Sequence, residues 1–153
     1  MTDSFLEEML PQLASVAAHT HALGFRWVGR EAERIRIAVP WREDLVGDPE
    51  TGVLAGGLVT ALLDHAGGLA IWAKMGEFRP VATLDLRVDY MRAAEPRREL
   101  LAEARCYRLT SSIAFVRAWA FEDDPSDPVA AAQAAYMLTY ERRLRRAQGE
   151  GAK

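Results

Sequence analysis

The chain has 153 residues, 50% of them hydrophobic and 27% charged, with a formal net charge of −3. That supplies enough apolar material for one globular domain with a sizeable core, which excludes a disordered or fibrous chain. The small negative charge excludes the basic field that nucleic-acid binding needs, although the closing ERRLRRAQGEGAK is locally cationic.

In chain order, the opening MTDSFLEEML is acidic where a secretory leader needs positive charge. No uninterrupted apolar run reaches the roughly 18 to 20 residues of a membrane span. Both points predict a cytoplasmic protein without a membrane partner. From Ser4 to about His19 the spacing of Phe5, Met9, Leu13 and Val16 predicts a short amphipathic helix, interrupted or restarted at Pro11. Ile35, Ile37 and Val39 then alternate with Arg34, Arg36 and Ala38, the period of a half-buried strand. A turn-rich loop from Val46 to Gly52 leads to the apolar run Gly57 to Met75, too long for a strand, and Gly76 is placed to end it as a helix.

Beyond that helix the pattern is sheet. Leu84, Leu86, Val88 and Tyr90 alternate with Thr83, Asp85, Arg87 and Asp89. ELLAEARCYRL, IAFVRAWAFE and VAAAQAAYMLTYE follow, separated by turns at TSS and DDPSDP. The alanine-rich last segment has the propensity of a helix, but a meander of equal-length strands gives it a partner. The predicted fold is α+β, a curved antiparallel β-sheet wrapped around a long central helix. Residues 1–22 form an N-terminal helical segment, 23–142 the domain proper and 143–153 a flexible basic tail.

The long helix carries one carboxylate. Taking about 100° per residue, Gly57, Thr60, Ala61, Gly67, Gly68, Ile71 and Met75 fall within about 60° of Asp64, so the aspartate stands on a face of small side chains. Such a face admits a ligand or a second helix, though an Asp at a solvent edge would need no function at all. His65 lies on another face and reads as a packed or interfacial residue. Gly56 and Gly57 open the helix, where unpaired N–H groups suit a carbonyl oxygen becoming an oxyanion. Gly57 and Asp64 are about 10 Å apart along the axis. One helix cannot bring both to one reacting carbonyl, whereas two helices crossing at a dyad can.

The order of elements, with GVLAGGLVTALLDHAGG joined to PVATLDLRVDYMRAAEP, resembles the hotdog-fold thioesterases, specifically the PaaI-like acyl-CoA thioesterase family, from about Leu23 to Tyr140. The resemblance implies a homodimer, usually paired into a homotetramer, hydrolysing acyl-CoA at subunit interfaces with no metal and no cofactor beyond the coenzyme A of the substrate. It implies Asp64 as general base or nucleophile, the Gly57 N–H as oxyanion donor, and Thr83 as a holder of the attacking water. Gly56, with Ala55 and Asp48 in the segment before it, would border the substrate. Ser111 and Ser112 would run past its pantetheine arm. Two positions depart from the family pattern: Ala55 stands where the family has His, and Asp48 and Pro49 fall near its loop Asn.

A non-hydrolytic acyl-CoA binding or regulatory protein therefore stands as the alternative, with a hotdog dehydratase behind it because no histidine accompanies the helix carboxylate. Other chemistry has less support. His19 and His21 lack a companion metal-ligand cluster, no Walker, dinucleotide or G-x-S-x-G motif is present, and the single Cys106 permits no internal disulfide. Arg97, Arg98, Arg142, Arg143, Arg145 and Arg146 read as solvated charge, of which CoA phosphates would favour one or two.

Overall fold

The computed structural model describes residues 4–139. A π-helical turn at Phe5–Met9 runs directly into α1 (Leu10–Leu13), and α2 (Ala18–Leu23) follows after a break. A new helix does start at Pro11, which sits in the first turn of α1 where the π-helical turn gives way to α-helix; what the structure corrects is the continuation to His19, because the chain turns at Ser15, whose N–H donates to the Gln12 carbonyl. Val16, expected on the buried face, is 70% exposed for the same reason.

Six strands form one antiparallel sheet: β1 (Arg26–Glu31), β2 (Arg34–Val39), β5 (Val81–Tyr90), β6 (Leu100–Leu109), β7 (Ile113–Phe121) and β8 (Ala130–Leu138), in the order β1-β2-β6-β7-β8-β5. The short strands β3 (Val46–Asp48) and β4 (Val53–Leu54) pair with one another in the loop before α3 (Gly56–Met75). That helix ends at Gly76, which takes the left-handed conformation (φ 70°) and donates its N–H to the Trp72 carbonyl.

The alanine-rich segment is a strand. Ala130, Ala132, Ala134, Tyr136 and Leu138 are buried, while Ala131, Gln133, Ala135 and Met137 between them are less so. With Ala114, Ala118 and Ala120 of β7 and Ala102 and Ala104 of β6, these buried alanines line the face against which Leu58, Leu62, Leu63, Leu69 and Ile71 of α3 pack. Small inward side chains let a 20-residue helix lie close along the sheet, which explains why α3 has almost no polar face. The closing residues of the last predicted segment, the tail 143–153 and the arginines from Arg142 onward lie outside the described residues.

Candidate active site

One departure from strand regularity brings the site together. In the β5–β8 ladder Thr83 pairs with Tyr136 and Asp85 with Ala135, which leaves Leu84 as an extra residue in a bulge. Strict alternation assigns Thr83 to the same face as Asp85. The bulge reverses this and turns Thr83 toward α3, where its Oγ1 donates to Asp64 Oδ1 at 2.8 Å. Tyr136, opposite Thr83 in the ladder, places its hydroxyl 2.8 Å from the Asp64 carbonyl oxygen and 3.1 Å from Oδ1.

Burial pushes the Tyr136 hydroxyl well above the ordinary phenol range, and the neighbouring Asp64 carboxylate pushes it the same way, so it stays protonated and donates to Asp64. Both contacts to the carboxylate fall on Oδ1; among the described residues Oδ2 has no hydrogen-bond partner and is left for a water or an electrophile. Asp64 is half-buried, not a solvated edge residue. Next to it, His65 is fixed away from this chemistry. Its Nε2 lies 2.9 Å from the Ala14 carbonyl, its ring stacks on Phe25, and burial lowers its pKa, as expected of a packed imidazole.

At the N-terminus of α3 the first intrahelical donors are the N–H groups of Leu58 and Val59, both to the Ala55 carbonyl. The N–H groups of Gly56 and Gly57 precede the ladder. A Cβ built on Gly57 would meet no atom within 4 Å, so this end of the helix is open. A groove of about 270 Å³, lined by His19, Asp44, Ala55, Gly57, Leu58 and Ala61 among others, lies in front of it. Ala55 is the N-cap and contributes no side-chain cap bond. The Gly56 carbonyl accepts from the Tyr90 hydroxyl at 2.7 Å and from Thr60 Oγ1 at 3.3 Å, which ties the helix start to the end of β5.

Asp48 is engaged by its own loop. Its Oδ1 accepts the Glu50 N–H at 3.1 Å and its Oδ2 the Thr51 hydroxyl at 2.7 Å, and these donors hold its carboxyl below the usual carboxylate range. Ser111 and Ser112 sit at the β6–β7 turn, exposed, and the Ser112 carbonyl accepts the Leu138 N–H, two residues along β8 from Tyr136. The structure thus joins Asp64 to Thr83 and leaves Gly57 with Ala55 at a separate, open end of the same helix. Sequence reasoning missed Tyr136 and Tyr90. Among the described residues no cluster of three or more His, Cys, Asp or Glu could hold a metal, and no helix is long and apolar enough to cross a membrane.

A single-carboxylate helix held against a bulged strand and lying along an antiparallel sheet defines a hotdog-fold protein. The chain belongs to the thioesterase superfamily, whose family profile matches residues 51–129. A crystal structure of a Pseudomonas aeruginosa protein is 34% identical, with a TM-score of 0.79, covering 88% of this chain and 99% of that one. A Ralstonia eutropha crystal structure, of a candidate thioesterase related to phenylacetic acid degradation, shares the fold at 24% identity and a TM-score of 0.72, covering 88% of this chain and 99% of that one. A Halobacterium salinarum protein named as a candidate esterase is 37% identical over 82 residues, 52% of this chain and 53% of its own length. The match therefore spans about half the length of that curated relative.

Proposed function

We propose that this protein is an acyl-CoA thioesterase of the cytoplasm, working as a homodimer or homotetramer, and that each active site joins Asp64 of one subunit to Gly57 of another. The observation that carries the proposal is the half-buried Asp64 carboxylate, fixed on one oxygen by Thr83 and Tyr136 and free on the other. Superfamily membership supports the reaction class.

In the base form of the mechanism, Asp64 takes a proton from water while the water oxygen attacks the thioester carbon. The carbonyl oxygen becomes an oxyanion facing the Gly57 N–H at the positive end of α3. Collapse breaks the C–S bond, and the departing thiolate recovers the proton from Asp64. In the nucleophile form Asp64 attacks the carbon itself, the C–S bond breaks and the departing thiolate takes a proton from water, and a second water then hydrolyses the mixed anhydride to the free acid and the Asp64 carboxylate. Neither form uses a metal or a prosthetic group. Ser111 and Ser112 would flank the pantetheine arm, and Asp48 would act only by stiffening its loop.

The test is release of free thiol from a panel of acyl-CoAs by the parent and by Asp64→Asn. Hydrolysis that falls at least about a hundredfold in a folded variant supports the proposal. Undiminished hydrolysis makes the carboxylate structural. One observation favours a second reading: Ala55 leaves the start of α3 without a side-chain donor, as a non-hydrolytic acyl-CoA binding protein would tolerate. Tight acyl-CoA binding with no thiol release by the parent would establish that reading instead.

A further inference from the structure

The carbonyl of Gly56 and the N–H of Gly57 are two ends of one peptide group. As the first carbonyl of an α-helix, the Gly56 oxygen already serves the N–H four residues on, so it needs no further donor. It has more all the same. The Tyr90 hydroxyl donates to it at 2.7 Å, and Thr60 Oγ1 lies 3.3 Å away. Tyr90 has a single hydroxyl proton, which this bond uses. The closer contact, between the Thr60 and Tyr90 hydroxyls, is therefore donated by Thr60. The result is a chain from the Thr60 hydroxyl through the Tyr90 hydroxyl to the Gly56 carbonyl, in which each bond polarises the next.

The phenol is held there from its own side as well. Tyr90 closes β5 in register with Ala130, and the Met91 N–H that follows donates to the Val129 carbonyl at 2.8 Å. The two glycines meet different surroundings. A Cβ on Gly56 would touch the Tyr90 ring and hydroxyl at 3.7 Å, whereas one on Gly57 would meet no atom within 4 Å. Residue 56 is thus covered by the phenol, and residue 57 lines the open groove.

Amide resonance couples the two ends of the peptide. A donor on the carbonyl oxygen draws electron density from the nitrogen, leaves the N–H more positive, and fixes the plane in which it points. We propose that Tyr90, backed by Thr60, is a positioning residue that polarises and orients the Gly56–Gly57 peptide so that the Gly57 N–H meets a developing oxyanion as a stronger donor. This rests on the reading of Gly57 as the oxyanion donor and deepens it, because neither hydroxyl itself touches the substrate.

The test has a kinetic arm and an exchange arm. Tyr90→Phe keeps the ring and removes only the hydroxyl, so kcat for acyl-CoA hydrolysis should fall about tenfold with KM unmoved, less than the roughly hundred- to thousandfold of losing an oxyanion donor outright. Thr60→Val should give a smaller loss in kcat, and Thr60→Ser should recover it. In the exchange arm, NMR on the full chain at mildly alkaline pH follows the amide protons at the start of α3. Exchange of the Gly57 N–H should slow in Tyr90→Phe, because a less polarised amide is a weaker acid. Loss of a mere anchor would act elsewhere and in the opposite direction, speeding exchange at Leu58 and Val59, whose N–H groups are held by the Ala55 carbonyl. Faster Leu58 and Val59 exchange with Gly57 unslowed overturns the proposal, as does a Tyr90→Phe protein that changes KM alone. Hydrolysis that needs Asp64 but is indifferent to Tyr90→Phe also overturns it and leaves the thioesterase reading standing. Slowed Gly57 exchange in a protein that hydrolyses nothing would uphold the polarised peptide and discard the hydrolysis.

Discussion

A side chain at position 67 and the hydroxyl of Tyr136 compete for one space: a Cβ on Gly67 would lie 2.2 Å from the hydroxyl oxygen and 2.9 Å from the ring carbon that carries it. This glycine is what lets Tyr136 reach over the helix to Asp64. Gly67→Ala should therefore destabilise the protein, although alanine in a helix interior ordinarily gains about 1 kcal/mol over glycine. Overpacking against a buried ring costs about 1–3 kcal/mol, and each kcal/mol lowers Tm by roughly 2–4 °C in a domain of this size. Thermal unfolding checks it, and a more stable Gly67→Ala would show that Tyr136 is free to withdraw.

Thr83 and Tyr136 make separable contributions. Thr83→Val removes the donor to Oδ1 while keeping the branched shape, so thioester hydrolysis should drop about tenfold or more with little change in stability, and Thr83→Ser should restore most of it. Tyr136→Phe should cost stability as well as rate, because its hydroxyl also serves the buried Asp64 carbonyl. Equal rates for Thr83→Val and the parent would remove Thr83 from the site.

The sequence pattern specified five of the six strands of the main sheet, the long helix and the single carboxylate on it, because each depends on local periodicity or composition; β1, whose register shifts between Trp27 and Gly29, and the short β3 and β4 were not read. It placed Thr83 on the wrong face, since alternation counts residues and a bulge at Leu84 inserts one that the count cannot see. Tyr136 was read as one more strand residue. The available signal was a lone hydroxyl-bearing aromatic at an inward position between Ala134 and Leu138, which must find a polar partner when buried. Its partner, the Asp64 backbone and side chain, is 72 residues away in sequence and becomes evident only when the helix is laid on the sheet. Pro11 marked the restart of the helix, whereas the later break at residues 14–17 contains neither proline nor glycine to signal it.

The exposed edge of β5 points to assembly. Leu84, Tyr90 and Met91 are 55%, 51% and 58% exposed on or beside an edge strand that pairs only with β8, an apolar edge that another chain would cover. With Gly57 and Asp64 about 10 Å apart on one helix, a second copy also completes the proposed site. Sedimentation should give a dimer or larger at micromolar concentration. Met91→Glu should shift it toward monomer, and hydrolysis should be lost in parallel. A monomer that retains full turnover would rule out a site shared between subunits.

Replacing Ala55 with histidine addresses the position that departs from the family pattern. The side of Ala55 facing Gly47 is closed, because a Cβ on Gly47 would already come within 2.8 Å of the Ala55 Cα. The other side is open, since Ala55 and Gly57 line the same groove of about 270 Å³. An imidazole at residue 55 can therefore enter the groove next to the proposed oxyanion donor. Ala55→His should raise acyl-CoA turnover about tenfold, equivalent to roughly 1.4 kcal/mol off the barrier, and the gain should vanish when Asp64→Asn is added. Stability has to be measured alongside, because a groove adapted to alanine would return the change as overpacking, at about 1–3 kcal/mol. A stable Ala55→His protein with no faster hydrolysis across a broad panel would count against a weakened enzyme. If the parent also releases no thiol from that panel yet binds acyl-CoA, the binding-protein reading replaces it, and Asp64 with its Thr83 and Tyr136 contacts becomes a structural brace between the helix and the edge of the sheet.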